Sequence, residues 1–237
     1  KGLFFLGKYA TIKVLKSETF RRSGERIIRR CFMEYRAAAR KQSRQGGNLK
    51  LVYDLVVKSR SYRRFYEDRP ISMEQLASLI DLGRLSPSGG NNQYIKYAAV
   101  CDRKKNEEVF DCLAWAGYLK DWDGPEKGER PAGYIILLRD KTINPNMSVD
   151  EGISAQSIFL GATEMGFGGC FLMNVQRGKL AKILELDEER YAISMVIALG
   201  VPKEEVVITD VKEDGDIKYY RDANQVHYVP KRSHEEV

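Results

Sequence analysis

The sequence predicts a mixed fold of helices and strands in one globular domain, preceded by a basic segment. The chain has 237 residues, of which 43% are apolar and 30% charged, a composition typical of globular proteins. From Leu49 onward, apolar residues recur alternately with helical and with strand spacing. Residues 1–50 carry a net charge of +11, and the rest of the chain carries −5. We therefore expect a basic extension over residues 1–48 and a folded domain over residues 49–237.

Composition and motifs argue against several classes of protein. Uncharged apolar stretches such as Tyr191–Pro202 fall short of the ~20 residues of a membrane-spanning helix. Four cysteines without a CxxC pair, and only two histidines, predict no metal site and a reducing, cytoplasmic setting. The acidic domain argues against nucleic acid binding over the whole surface. P-loop, GxGxxG, GxSxG and HExxH motifs are all missing, so a bound cofactor is expected to supply any chemistry.

The basic extension has a helical pattern of its own. Apolar residues recur from Phe20 to Ala39 at helical spacing, with arginines on the remaining face, and Gln45–Asn48 ends the pattern. Such a helix could bind an anionic membrane or RNA. It could also be an accessory helix that packs on the domain. A third possibility is that it is an upstream stretch of the reading frame that is not part of the working protein.

The domain is expected to begin with two helices. The first covers Leu49–Lys58, and the second starts with a capping box at Ser72 and ends near Leu85. The other expected elements are strands at Tyr94–Cys101, Tyr134–Leu138, Cys170–Val175 and Ala192–Leu199, helices at Lys104–Leu113 and Gln176–Leu186, and an irregular segment at Asp121–Pro131.

Two local signals predict further structure. A second capping box at Ser148 opens a helix that runs to Met165, where glycines break it. Asp214-Gly215 indicates a β-hairpin between strands at Val206–Val211 and Ile217–Tyr220.

Three segments are suited to an anionic, planar ligand. In Ser59–Phe65, two guanidiniums (Arg60 and Arg63) and the Ser61 hydroxyl suit a phosphate, although charged clusters are commonly solvated surface. In the loop Pro87–Gln93, two glycines let the backbone approach a ligand, although helix–strand loops are commonly this polar. The third segment, at residues 168–173, is a glycine turn that starts a strand. It could present backbone N–H groups to a ring, or it could serve only tight packing.

In this order, the segments resemble the FMN-dependent nitroreductase family. The resemblance covers Leu49 to about Arg232. It rests on SRSYRRF (Ser59–Phe65), LSPSGGNNQ (Leu85–Gln93), GFGGCF (Gly166–Phe171), ALGVPKE (Ala198–Glu204) and VPKR (Val229–Arg232).

The resemblance implies an FMN site built from two subunits. Ser59 stands where the family has an arginine, so the resemblance does not carry over one cationic contact of the phosphate, and whether this weakens the site stays open. The residues implied are Arg60, Ser61, Arg63, Lys231 and Arg232 for the phosphate; Pro87, Ser88, Gly89, Asn91 and Gln93 for the flavin of the partner subunit; and the backbone of Phe171, Leu172 and Met173 near N5 and O4 of the ring.

The resemblance also implies a fold and an activity. The fold is a three-layer α+β arrangement in which a mixed, mostly antiparallel sheet is flanked by helices, in an intertwined homodimer. NAD(P)H would pass hydride to flavin N5 and leave. A nitroaromatic, a quinone or another small electrophile would then take the electrons in a ping-pong sequence. No catalytic side chain is required, since solvent can supply protons.

Two other functions remain open at this stage. A specialised member of the same family would use FMN for dehydrogenation, dehalogenation or flavin cleavage. Its lid would lie between Trp115 and Arg130, where Trp115, Tyr118 and Trp122 could line an aromatic slot or belong to the core. Alternatively, the protein could be a non-enzymatic FMN-binding regulator whose basic helix contacts RNA or a membrane.

Overall fold

An antiparallel five-stranded sheet forms the centre of the computed structural model, which describes residues 4–5 and 49–236. The helix expected between Phe20 and Ala39 lies outside these residues. The strand order is β1-β2-β3-β5-β4, and every neighbouring pair is antiparallel. The strands are β1 Phe4–Phe5, β2 Ile95–Val100, β3 Gly133–Asp140, β4 Gly168–Leu172 and β5 Tyr191–Gly200.

The alternation of side chains along β3 explains why both faces of the sheet are covered. Tyr134, Ile136 and Leu138 belong to one apolar core, whereas Ile135 and Leu137 belong to the other. Successive side chains of a strand point to opposite faces. A strand that is apolar at every position therefore requires helices on both sides of the sheet.

The helices supply these two layers. Helices α2 (Met73–Leu85) and α4 (Asp150–Glu164) pack on the face of Ile135, while α3 (Arg103–Phe110) and α5 (Arg177–Ile183) pack on the opposite face. Gly83 lets α2 approach α4 closely, because a Cβ there would lie 2.8 Å from Ile158 Cδ1. A further helix, α1, covers Leu49–Lys58. This arrangement confirms the α+β fold and all helices and strands expected between Leu49 and Leu199.

The two predicted capping boxes differ. Both reciprocal bonds are present at Ser72, whose side chain accepts from Gln75 N. At Ser148 only one is formed: its backbone N–H donates to Glu151 at 3.0 Å, but its hydroxyl accepts from Asp150 N at 3.2 Å. The second box is therefore incomplete, and α4 begins at Asp150.

The predicted hairpin at Asp214-Gly215 is wrong. Strands β6 (Val206–Asp210) and β7 (Tyr220–Arg221) do not pair, because β8 (His227–Lys231) lies between them. Strand β8 is parallel to β6 and antiparallel to β7. The carboxylates of Asp214 and Asp216 accept from the backbone N–H groups two residues further on, and these groups are then unavailable for a hairpin ladder.

Neither a membrane-spanning helix nor a metal-ion site is found among the described residues. None of the helices among residues 49–236 has the length and apolar character needed to span a bilayer. The same residues contain no group of three histidine, cysteine or acidic side chains placed to hold a metal ion.

Candidate functional site

The first and third predicted segments lie side by side. The backbone N–H of Tyr62 donates to the carbonyl of Gly169 at 2.8 Å, and Ser61 forms a parallel bridge with the same glycine. A Cβ at Gly168 would lie 2.6 Å from Pro202 Cγ, and closer still to the Tyr62 ring. The glycine turn is therefore what lets residues 59–65 lie against β4.

A cavity of about 240 Å³ lies at the end of β4. Of the predicted residues, Arg63, Phe171, Leu172 and Met173 line it; the other lining residues are Ala114, Trp115, Ala116, Gly117, Cys170, Asn174 and Tyr219. Phe171 and Met173 are 36% and 44% exposed, so the rest of the described chain does not cover this wall. A larger cavity of about 300 Å³ is lined by none of the predicted residues.

Buried charged groups converge at one corner of this cavity. The Arg63 guanidinium donates to Ser61 O at 3.2 Å and lies 3.3 Å from His227 Nε2. The carboxylate of Glu204 pairs with Arg221 at 3.0 Å and accepts from the backbone N–H of Arg63. We call Arg63, Glu204, Arg221 and His227 the charged corner; all four side chains are buried.

The charged corner holds a surplus of positive charge. Burial, followed by the charges of Arg63 and Arg221, lowers the pKa of His227 to about 4, so the imidazole is neutral at pH 7. Burial also lowers the pKa of Arg221, opposed by Glu204, but an arginine in a protein remains protonated. Two guanidiniums therefore face one carboxylate. The uncompensated charge favours an anion at this end of the cavity.

Several donors of the charged corner have no partner among the described residues. These are Nε of Arg63, Nε of Arg221 and Nδ1 of His227, all buried. Because a guanidinium can only donate, Nε2 of the neutral His227 accepts from Arg63, and Nδ1 must carry the proton. Buried donors without partners are costly. Of these three residues only Arg63 lines the cavity, so an anion bound there would lie beside its guanidinium.

The neighbouring thiol and indole are part of the same wall. Burial raises the pKa of the Cys170 thiol in spite of the nearby Arg63, so Cys170 is protonated at neutral pH. Trp115 is buried and lines the cavity, and its ring lies 5.7 Å from that of Phe110. Trp122 packs beneath the guanidinium of Arg221 at 4.2 Å. The two tryptophans thus support the cavity as well as belonging to the core.

The second predicted segment lies apart from this cavity. Residues 89–93 are exposed, and the loop is attached to Asp150 at the start of α4. Asp150 is nine residues before Phe159, whose ring lies 4.6 Å from that of Phe171. At 1.5 Å per residue, Asp150 is about 13 Å along the helix from Phe159, and hence far from the Phe171 ring that contacts Phe159. One chain therefore does not bring Pro87, Ser88, Gly89, Asn91 and Gln93 into its own cavity.

The remaining predicted residues also lie outside the cavity. Arg60 donates to Val56 O at 2.6 Å, and its Nε is buried without a partner among the described residues. Lys231 ends β8, about 13 Å from His227 at ~3.3 Å per residue, and Arg232 lies one residue further on; both are exposed. The structure does not bring them to Arg63.

Sequence reasoning missed Glu204, Arg221, His227 and Tyr219 as members of the site. Tyr219 lines the cavity, and its ring lies 4.6 Å from the Arg63 guanidinium. Each is a single residue in a segment more than 140 positions from Arg63. Glu204 falls within the motif ALGVPKE, which was the one available signal.

Comparison with known proteins identifies the family. Residues 56–201, well over half of the chain, match the family model described as the Nitroreductase family. A curated NADPH-flavin oxidoreductase of Vibrio harveyi is 27% identical over 166 residues, which cover 63% of this chain and 65% of that protein. The chain thus spans just under two thirds of the length of that relative.

Solved structures share the fold. An FMN-dependent nitroreductase from Clostridium difficile R20291 superposes with a TM-score of 0.51 at 23% identity, covering 63% of this chain and 87% of that one. A nitroreductase family protein from Clostridium novyi NT superposes with a TM-score of 0.52 at 18% identity, covering 78% and 97%. With a matching family model, a matching fold and a cavity at the expected strand, this chain belongs to the nitroreductase family.

Proposed function

We propose that the protein is a homodimeric, FMN-dependent oxidoreductase that uses NAD(P)H to reduce a nitroaromatic, a quinone or a similar electrophile. The observation that carries the proposal is the charged corner, whose surplus positive charge and unpartnered donors adjoin a cavity walled by β4. The printed name of the Vibrio harveyi relative, NADPH-flavin oxidoreductase, supports the same chemistry. FMN, when bound, supplies a ring that accepts hydride at N5 and releases two electrons to the acceptor.

The residues present fit FMN. A phosphate monoester carries about −1.5 to −2 charges at pH 7, and the single positive charge that Arg63 and Arg221 leave beside Glu204 would balance about half to two thirds of it. The backbone of Phe171, Leu172 and Met173 would hold the ring, as the sequence predicts. Arg63 is better placed for the phosphate than Lys231 and Arg232, because it lines the cavity, and Arg221 lies behind it on the shared carboxylate of Glu204.

Two titratable groups near the cavity are unsuited to act as a general acid. Among the groups around the cavity, His227 is neutral because its pKa is held near 4, and the Cys170 thiol has a raised pKa. Neither can donate a proton efficiently at pH 7. Protons are therefore expected to come from solvent, and the role of the side chains is to bind and orient the cofactor.

An exposed apolar surface supports the dimer. On α1, the side chains of Leu51, Val52, Tyr53, Val56 and Val57 are 36–67% exposed. We call this set the α1 surface; α1 packs against α4, where Val149 and Ile153 are exposed as well. Contiguous apolar surface of this kind marks an interface. In a dimer, the exposed loop at residues 89–93 would then reach the cavity of the partner subunit.

The identity and reactivity of the chromophore test the proposal. Heat-released cofactor should be FMN by mass spectrometry, because the charged corner is built for one terminal phosphate. The yellow protein should bleach under anaerobic conditions with NADH or NADPH. Recovery mainly of FAD would contradict the cofactor assignment. A yellow protein that neither nicotinamide bleaches would favour a flavin-binding protein without the activity.

A further inference from the structure

A single buried carboxylate holds both ends of the exposed loop at residues 89–93. Asp150 is 3% exposed, and its carboxylate accepts from the Ser88 hydroxyl at 2.7 Å and from the Gly89 N–H at 3.0 and 3.1 Å. The Ser88 oxygen in turn accepts from the N–H of Gln93 at 3.0 Å. The start of the loop is thus bonded directly to Asp150, and its end is bonded through one hydroxyl.

The backbone of this loop requires such an anchor. Gly90, Asn91 and Gln93 have φ angles of +56°, +55° and +51°. Left-handed backbone is unfavourable for most residues other than glycine; asparagine tolerates it better, so Gln93 is the costly position. Residues 89–93 are also exposed, so packing against the domain contributes little to holding them. Two local backbone bonds, from Asn91 N–H to Ser88 O at 2.8 Å and from Asn92 N–H to Gly89 O at 3.1 Å, shape the turn. The bonds that Asp150 and the Ser88 oxygen accept attach this turn to the domain.

The chemistry of Asp150 indicates more than a packing role. Among the described residues, no cation pairs with its carboxylate. A buried carboxylate without a cation is costly unless hydrogen bonds compensate for it. Its compensation comes from the loop donors and from its place in the first turn of α4, where the helix dipole favours negative charge. The neighbouring Glu151 is equally buried but bonds to Tyr94 instead, at 2.7 Å.

We propose that Asp150 is a positioning residue that presets the loop for the flavin of the partner subunit. The inference rests on the proposed function, in which Asn91 and Gln93 meet that flavin. A loop already held in its binding conformation does not have to be ordered when the ligand binds, and affinity rises accordingly. Asp150 would therefore act on FMN binding through Ser88 and Gly89 without touching the cofactor.

The test uses the full-length protein and two readouts, at a temperature where every variant is folded. The first is hydrogen exchange at the Gly89 and Gln93 amides in flavin-free protein, and the second is the FMN dissociation constant by fluorescence. Asp150→Ala should speed exchange at both amides at least tenfold. It should also raise the dissociation constant about tenfold, equivalent to ~1.4 kcal/mol.

Two further variants separate positioning from stability. Asp150→Asn should give an intermediate effect, because its carbonyl oxygen can still accept from Gly89. The matched control is Glu151→Gln, which alters an equally buried carboxylate at the same helix end. It should lower thermal stability and leave both readouts unchanged. If Asp150→Ala does not fold, Ser88→Ala should still speed exchange at Gln93.

The outcomes distinguish this proposal from the proposed function. Unchanged exchange in Asp150→Ala, or an unchanged FMN dissociation constant despite faster exchange, would overturn the positioning role. An equal effect of Glu151→Gln would overturn it as well. Faster exchange in a protein whose wild type does not bind FMN would overturn the proposed function, while supporting Asp150 as the anchor of the loop.

Discussion

The charged corner of the cavity and the loop at residues 89–93 are opposite kinds of binding surface. Both depend on a buried carboxylate. In the corner, Glu204 is bonded to Arg221, and buried donors remain without partners among the described residues. At the loop, the Asp150 carboxylate accepts from Ser88 and Gly89, and none of the cations in the described part of the chain pairs with it.

The difference indicates where each surface finds its ligand. The charged corner has unpartnered buried donors and meets its own cavity through Arg63, so it is suited to be half of a site that an anion completes. The loop is held firmly but has its ligand-binding groups exposed, so it is suited to a cavity that its own chain does not provide. A flavin site shared between two subunits accounts for both. Variants that disrupt either surface test whether the two form one site, and the largest expected effect comes first.

Breaking the proposed dimer should remove the site. The double variant Val52→Asp and Val56→Asp places two carboxylates one helical turn apart on the α1 surface. Because burying an unpaired carboxylate in an apolar interface costs several kcal/mol, we expect a monomer that purifies without FMN. Size-exclusion chromatography with light scattering checks this. Ile208→Asp, on an exposed strand position, is the control and should remain a yellow dimer. A double variant that stays dimeric would show that the α1 surface is not the interface.

Arg63→Ala should weaken FMN binding. Loss of a charged hydrogen bond costs about 1.5–3 kcal/mol, which corresponds to a dissociation constant raised roughly 10- to 150-fold. Fluorescence titration measures the change. Arg84→Ala, which removes an exposed guanidinium paired with Asp81, should leave the affinity unaltered. Wild-type affinity in Arg63→Ala would mean that Arg63 does not bind the cofactor.

Acid should weaken the attachment of the irregular segment at Asp121–Pro131 to the first motif. Glu129 bonds to Arg64 at 2.6 Å and to Lys203 at 2.9 Å; chiefly through Arg64, these bonds lower its pKa from 4.5 to about 2. A carboxylate with a lowered folded-state pKa contributes stability above pH 4.5, and this is lost as the pH falls towards 2. Glu129→Gln should cost about 1–2 kcal/mol in the free energy of unfolding at pH 7 and almost nothing near pH 2.

Urea unfolding at both pH values tests the role of Glu129. The exposed Glu126 is the matched control, and Glu126→Gln should behave as wild type. A difference between wild type and Glu129→Gln that stays constant with pH would contradict the ion-pair explanation.

Removal of residues 1–47 should have the smallest effect. In the described part of the chain, this segment contributes β1, which pairs with β2 only at Ala98 and Ala99. A chain beginning at Asn48 should remain a yellow dimer that nicotinamide reduces, with some loss of thermal stability. Loss of FMN from a truncated protein that is still folded and dimeric would show that the segment helps to build the site.

Site residues that lie in short sequence segments could be predicted, whereas residues that become neighbours only in the folded chain could not. Arg63, Phe171, Leu172 and Met173 could be proposed from the sequence because they lie in two short segments, and the structure brings them to one cavity. The charged corner was not found, because Glu204, Arg221 and His227 become neighbours of Arg63 only through folding. Composition shows which residues can bind a phosphate, but burial decides which of them carry unsatisfied donors.

The errors in the fold have the same cause. Capping boxes and strand periodicity are local, and they predicted the helices and strands up to Leu199 with small differences at their ends. The hairpin at Asp214-Gly215 failed because β8, a later strand, lies between its two arms. Lys231 and Arg232 were assigned to the phosphate by resemblance, and the direction of β8 carries them away from Arg63 within one chain.

The central claim is that the buried cations of the charged corner bind the phosphate of FMN. Isothermal titration of flavin-free protein with FMN and with riboflavin, which lacks only the phosphate, tests it most directly. With two charged hydrogen-bonding partners in place, FMN should bind at least about 100-fold more tightly than riboflavin. Arg63→Ala and Arg221→Ala should each reduce that preference. Equal affinities of the wild type for FMN and riboflavin would contradict the claim.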